Sequence, residues 1–402
     1  MITRAEAKEI AARWARSESE QRGYGCEPML VEFDLGYVIW TRQPATILPV
    51  PGDGARTVID RETGVLSTWP GIPPEEIAAG YRDRRPAPSR TANPAVALRR
   101  AARRHPSPTT AAHLTVDGRL FRAQGAKGDQ QIDHHSLVLR YLSIVEPGAL
   151  VRGVERHAEL IVLSEVLHEA DQAGGRPITL DEARAWLINA GFAAFLVREK
   201  GDPSGGQPTR PCETCIGALV DFALLPWADL AFTTEWRHGF DRVPAAGRFP
   251  HEVARTLAGG GWMDLSSLDV LGEAAIARAV EASGGRLRPF PAARRVVAEF
   301  PGVRCGRRGP GLRRAVRLLT LDPAPAAYAA DVLDEFAKVV GAPLFPIGVE
   351  GGDAIVAIDE QGWAFVLDQA GEWFVGETID EALVGLLTGD GPAERLHDDG
   401  TW

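Results

Sequence analysis

Apolar residues recur at Ala7, Ile10, Ala11 and Trp14, the i, i+3, i+4, i+7 spacing of one helix face, and Thr3 with Glu6 just ahead of them makes a capping box. Residues 2–22 are therefore predicted to form an amphipathic helix whose stripe needs a sheet to cover. Strand-like runs follow at 29–33, 36–41 and 56–60, and Arg61-Glu62-Thr63-Gly64 turns the chain into a fourth at 65–69. That pattern is a small α+β unit over residues 1–85. The Arg-, Pro- and Ser-rich stretch that runs from Arg82 to Pro94 then reads as a linker, placed at 86–94.

Residues 95–240 alternate between the two periods. A helix over Ala95–Arg104 precedes a strand pair, His113–Val116 and Arg119–Gln124, joined by the tight-turn dipeptide Asp117-Gly118. Helical spacing of Leu160, Leu163, Val166 and Leu167 predicts a helix over 155–172 with His157 and Glu159 in its first turn. A helix over Leu180–Asn189, a strand over Phe192–Val197, a helix starting near Pro211 and a strand over Ala228–Phe232 complete an α/β sandwich. In residues 247–390, Val253 and Leu257 mark a helix closing at Gly261, and another helix spans Ala326–Val340. Strands at Ala354–Ile358 and Ala364–Leu367 bracket an Asp359–Gly362 turn, a third runs over Trp373–Val375, a short helix closes the unit, and 391–402 is a tail. The predicted class is thus α/β and α+β multidomain, a central α/β/α sandwich flanked by two small α+β domains.

The formal net charge of −10 is unevenly spread: residues 318–402 hold 17 acidic side chains against 2 basic ones, so the remainder is net +5. Within 95–240 the count is 16 basic to 17 acidic, which lacks the basic footprint of a nucleic-acid surface. Arg286–Arg317 carries ten arginines against the single Glu299 and reads as a solvated face. No secretory apolar region or run of about 18 apolar residues is seen, so a cytoplasmic chain without membrane contact is expected. Four cysteines are sparse, and Cys26 and Cys305 fall in different units, which suits buried thiols in a reducing compartment.

The chemistry concentrates in His157-Ala158-Glu159 and Pro211-Cys212-Glu213-Thr214-Cys215, with 52 residues between Glu159 and Cys212. Zn²⁺ favours imidazole and thiolate, and a catalytic site leaves one position to water, so His157, Cys212 and Cys215 are the candidate ligands. Two thiolates offset the metal's charge and weaken its acidifying effect on that water, which makes a nearby base necessary. Glu159, two residues past His157, points elsewhere on a helix and is the candidate proton shuttle. Histidine-x-glutamate followed by proline-cysteine-x-x-cysteine is the motif pair of zinc deaminases, whereas a CxxC alone could be a redox pair or half a structural site. His134-His135 is expected to be an exposed pair. His168 lies about three turns beyond His157 and is left out of the site, as is His238. Trp227, Phe232 and Trp236 could stack on a base or pack in the core.

Three resemblances follow. The helix and meandering strands with Asp60-x-x-Thr63-Gly64 resemble YrhB-type immunity domains of bacterial toxin systems. The middle segment resembles the deaminase superfamily and, within it, the YwqJ-like deaminases of polymorphic toxins. That implies a Zn²⁺ site of His157, Cys212 and Cys215 with Glu159 as proton shuttle, acting on a nucleobase, cytosine in preference to adenine, in a nucleotide or single-stranded nucleic acid. Residues 247–390 are similar to the third group of the SUKH superfamily through Gly261-Trp262, Phe345-Pro346-Ile347-Gly348 and the pattern from Gly376-Glu377-Thr378 to Leu387, which implies a surface for a toxin-type protein partner. The expected whole is a resident deaminase restrained or directed by fused immunity-type domains. The alternative is a non-catalytic immunity scaffold with a structural zinc.

Overall fold

A computed structural model describes residues 1–22, 24–46, 56–69, 71–83, 85, 107–226, 247–262, 269–398 and 400–402. The chain is mixed α/β, with 11 α-helices and three sheets among the described residues. No described helix is long and apolar enough to cross a membrane.

α1 (Arg4–Arg22) opens on the expected box: Thr3 N–H donates to Glu6 Oε2 at 3.0 Å and Glu6 N–H to Thr3 Oγ1 at 3.3 Å. β1 (Glu27–Phe33), β2 (Gly36–Arg42), β3 (Arg56–Asp60) and β4 (Leu66–Trp69) form an antiparallel meander in that order. The pleat of β2 sorts its side chains: Tyr37 and Ile39 pack with Ile10 and Ala11 of α1, while Val38 packs with Ile77 and Tyr81 of α2 (Pro74–Asp83). Asp60 explains the Asp60-x-x-Thr63-Gly64 motif. Its buried carboxylate accepts from the N–H groups of Glu62 and Thr63 at 2.9 and 2.8 Å and pairs with Arg85 at 2.7 Å. Burial would raise its pKa, but Arg85 and the donors around it hold it down to about 2.

In the middle unit β5 (Thr109–Val116) lies between β6 (Arg119–Gln124) and β7 (Gly191–Val197), antiparallel to both. Asp117 and Gly118 both have positive φ, 49° and 78°, as a two-residue hairpin turn requires. Against β5 and β6 packs α4 (Ala158–Gly174), burying Leu160, Leu163, Val166 and Leu167. α5 (Leu180–Leu187) starts on a capping box of Thr179 and Glu182, and α6 (Glu213–Asp221) follows the polar loop. α3 (Ser136–Ile144) was not expected; it is hidden behind the two histidines that read as a polar loop. The predicted helix 95–104 and strand 228–232 lie outside the described residues.

The C-terminal unit contains α7 (His251–Gly259), α8 (Asp269–Ala282), α9 (Pro291–Glu299), α10 (Ala330–Val340) and α11 (Ile379–Thr388). Its seven-stranded antiparallel sheet has the order β14-β13-β12-β11-β10-β9-β8. The strands are β8 (Val303–Cys305), β9 (Leu319–Leu321), β10 (Leu344–Glu350), β11 (Ala354–Asp359), β12 (Ala364–Asp368), β13 (Gly371–Gly376) and β14 (Glu394–Arg395). The arginine-rich stretch is a set of ion pairs, not merely a solvated face. Arg286, Arg294, Arg307 and Arg313 meet Asp331, Glu273, Glu252 and Asp390, while Arg308 and Arg317, mostly buried, reach Glu213 and Asp353.

Candidate metal centre

Short 3₁₀ turns at Pro147–Ala149 and Val154–Arg156 lead into α4, and His157 arrives as its N-cap (φ −77°, ψ 141°), one residue before the helix it was predicted to lie in. Glu159 stands in the first turn as expected. Cys212 is likewise the N-cap of α6, with Pro211 outside the helix instead of at its first position. The Cys212 Sγ accepts from Cys215 N–H at 3.5 Å, so the sulfur does the work of a capping oxygen where unpaired N–H groups favour a thiolate.

The His157 Nδ1 lies 3.5 Å from the Sγ of Cys212 and 3.5 Å from the Sγ of Cys215. In a tetrahedron with Zn–N of ~2.0 Å and Zn–S of ~2.3 Å, the nitrogen–sulfur edge is about 3.5 Å, so both nitrogen–sulfur distances suit a zinc ion. Glu159 Oε2 is 3.7 Å from Cys215 Sγ. All four side chains are buried: His157 is 2% exposed, Cys212 7%, Cys215 0% and Glu159 1%.

Burial disfavours charge throughout this cluster, and the neighbours decide which groups keep it. Burial would lower the His157 pKa, but the Cys212 thiolate beside it prevails and raises it to about 9. Burial likewise opposes the Cys212 thiolate, yet the hydrogen bond from Cys215 and the His157 cation hold it well below the usual thiol range. Cys215, buried beside that thiolate, is pushed well up. Burial lifts Glu159 to about 7, where a carboxyl can exchange a proton near neutrality.

Several positioning residues carry no motif. Thr214, between the cysteines, donates from Oγ1 to Ala149 O and accepts from Val151 N–H, both at 2.9 Å, which ties α6 to the segment leading into His157. Arg156 is buried beside His157 and donates to the carbonyls of Ala126, Gly128 and Gln130. The only local signal for Thr214 is a hydroxyl placed between two candidate ligands.

His134 and His135, expected to be exposed, are buried. His134 contacts Ser164 Oγ at 2.9 Å and Glu155 O at 2.5 Å, and His135 Nε2 meets Asp171 at 3.0 Å. His135, His168 and Asp171 cluster closely enough to hold a cation. However, His135 Nδ1 accepts from Leu137 N–H, so its Nε2 carries the proton given to Asp171 and has no lone pair for a metal. His238, Trp227, Phe232 and Trp236 lie outside the described residues.

The C-terminal unit reaches this centre directly. Arg152, five residues before His157, pairs with Glu350 at 2.6 Å and Asp368 at 3.2 Å. Gln369 Oε1 accepts from Ala158 N–H at 3.3 Å, between His157 and Glu159 in sequence. Arg308 lies 3.5 Å from Glu213, the neighbour of Cys212. Further out, Glu199 accepts from the N–H groups of Val332 and Asp331 at the start of α10, at 2.9 and 3.3 Å. Asp129 pairs with Arg395 at 2.6 Å and accepts from Asp398 N–H at 2.8 Å.

Comparison with known families places immunity-type domains at both ends of the chain. Residues 249–389 match the family model described as SUKH-3 immunity protein, and residues 5–87 match that of the Immunity protein 35-like domain. No curated protein and no solved structure matches the chain. The immunity-type character expected for both flanks, and the third SUKH group for the C-terminal one, agree with these matches.

Proposed function

We propose that the middle unit is a zinc-dependent hydrolytic deaminase acting on a nucleobase, cytosine in preference to adenine, in a nucleotide or single-stranded nucleic acid. Carrying this reading is the convergence of His157, Cys212 and Cys215 on one point, with the Glu159 carboxylate 3.7 Å from Cys215 Sγ. When bound, zinc supplies Lewis acidity that lowers the pKa of a coordinated water. Glu159 would take a proton from the attacking water and pass it to the ring nitrogen, then take the proton of the hydroxyl formed on the ring carbon and hand it to the departing amine. The ring–NH₂ and water become ring carbonyl and ammonia. Burial serves this shuttle twice, by raising the Glu159 pKa and by keeping bulk water from competing for the proton.

The flanking domains are binding modules, consistent with a protein of toxin and immunity systems. A second reading, a non-catalytic immunity scaffold with structural zinc, draws on the burial of all four side chains. It leaves Glu159 without a role, since a structural site needs no carboxylate beside it. The test is a pair of variants. Glu159→Ala should retain about one zinc per chain and lose ammonia release by about 10²-fold or more. Cys212→Ser should lose the zinc. Undiminished ammonia release by Glu159→Ala would refute the assignment, and zinc-bound wild-type protein inert toward nucleosides, nucleotides, single-stranded DNA and RNA would favour the scaffold.

A further inference from the structure

The turn between β12 and β13, Asp368-Gln369-Ala370-Gly371, is where the C-terminal unit meets the metal centre. Gln369 caps the first free N–H of α4, beside His157 and Glu159. Ala370 is wholly buried, and its Cβ packs so tightly against Gly153 that a side-chain carbon at 153 would lie 2.5 Å away. Asp368 shares Arg152 with Glu350, and both carboxylates are buried. The guanidinium pairs that Arg152 makes are with acids of the C-terminal unit. Withdrawing that unit leaves a cation five residues from His157 with neither of them. Arg152, Arg314 and Arg317 also line one small cavity beside Glu350 and Leu386. Arg152 Nε and Nη2 both donate to Asp368 Oδ2 and Nη2 also to Glu350 Oε2, so the guanidinium holds two anionic oxygens, which a phosphate group can equally present.

We propose that the β12–β13 turn is a built-in plug of the metal centre, and that Asp368 and Glu350 occupy on Arg152 the place of a phosphate group of the substrate. This rests on the deaminase reading for its substrate, which it narrows to phosphorylated nucleosides or nucleic-acid strands. The plug itself can be tested on thiols, so the two can fail separately. Opening is a rigid withdrawal of the C-terminal unit, because that unit has its own core, in which Cys305 is buried.

The experiment uses the full-length chain with a chelator present and follows alkylation of each cysteine by peptide mass. Ala370→Arg drives a long charged side chain into the Gly153 contact. Cys212 and Cys215 should then react at least tenfold faster while Cys305 stays protected, which separates opening from unfolding. No acceleration at Cys212 and Cys215 with Cys305 protected overturns the plug. If Cys305 also reacts, Asp129→Ala combined with Glu199→Ala loosens the two outer contacts instead, and the same rates decide. For the phosphate limb, calorimetry with inorganic phosphate should show binding to the opened chain that weakens at least tenfold on adding Arg152→Ala. Equal binding with and without Arg152, or none to the opened chain, overturns that limb.

Discussion

Gly153 offers the sharpest probe of how the units fit. It has φ +62° and ψ 23°, and a Cβ there would lie 2.5 Å from Ala370 Cβ and 2.8 Å from the Trp373 ring. Gly153→Ala therefore carries two costs. An L-residue in the left-handed region costs about 1 kcal/mol, and a collision with a packed turn that must shift adds about 1–3 kcal/mol. The sum, about 2–4 kcal/mol, should appear as a lower urea midpoint followed by tryptophan fluorescence, since Trp373 is at the contact. Ala370→Gly removes one of the two colliding groups without touching the backbone of residue 153. In that background Gly153→Ala should cost about 1 kcal/mol less, a coupling that a double-mutant cycle isolates. An equal loss in both backgrounds would mean that the cost is all backbone and the turn is not seated. A loss below about 1 kcal/mol in the wild-type background would remove both terms of the reasoning.

The Glu199 contact should be pH-dependent. Burial raises its carboxyl from the ordinary 4.5 to about 7, against the pull of the Val332 and Asp331 N–H groups and with Asp331 adding repulsion. A folded pKa above the unfolded one gives stability that is complete below about pH 4.5 and lost as pH rises through about 7. Urea midpoints should therefore fall across that window, and less steeply in Glu199→Gln, where the raised Glu159 and Glu165 carboxyls still contribute; an unchanged slope in the variant would count against the assignment. Arg156→Met should cost about 3 kcal/mol or more in a thermal or urea melt, because it strands three carbonyls at about 1–3 kcal/mol each where they are buried. A loss under about 1 kcal/mol would show that water replaces the guanidinium.

Local chemistry was legible in the sequence wherever it repeats over a few residues. The Thr3–Glu6 box, the Asp117-Gly118 hairpin and the apolar face of α4 all sit where spacing put them. Motif spacing likewise picked out His157, Cys212, Cys215 and Glu159, whose side chains the fold brings together. Several elements escaped, α2, α8, α9, β8 and β9 among them, and three of the misses have a plain physical cause. α3 was lost because His134-His135 reads as solvent-exposed, whereas His135 caps the helix. β10 was lost because Pro346 argues against a central strand; a register shift between Pro346 and Gly348 absorbs the missing donor. The cover of the centre was lost because its contacts join residues about 200 apart, such as Arg152 with Glu350 and Ala158 with Gln369, and leave no local trace.

The character of that cover says what kind of joint it is. Each unit keeps its own apolar cluster: α4 and β5 close one, and β10 to β13 with α10 and α11 close another. What spans them is mainly polar, Arg152 with Glu350 and Asp368, Asp129 with Arg395, Glu199 with the start of α10. Buried ion pairs add little net stability because desolvation offsets their attraction, but each fixes one geometry and penalises a partner that arrives without its counter-charge. Two self-sufficient cores held by such pairs can part without unfolding. A joint sealed by leucines would bind more firmly and would offer no charge for a competing anion to take.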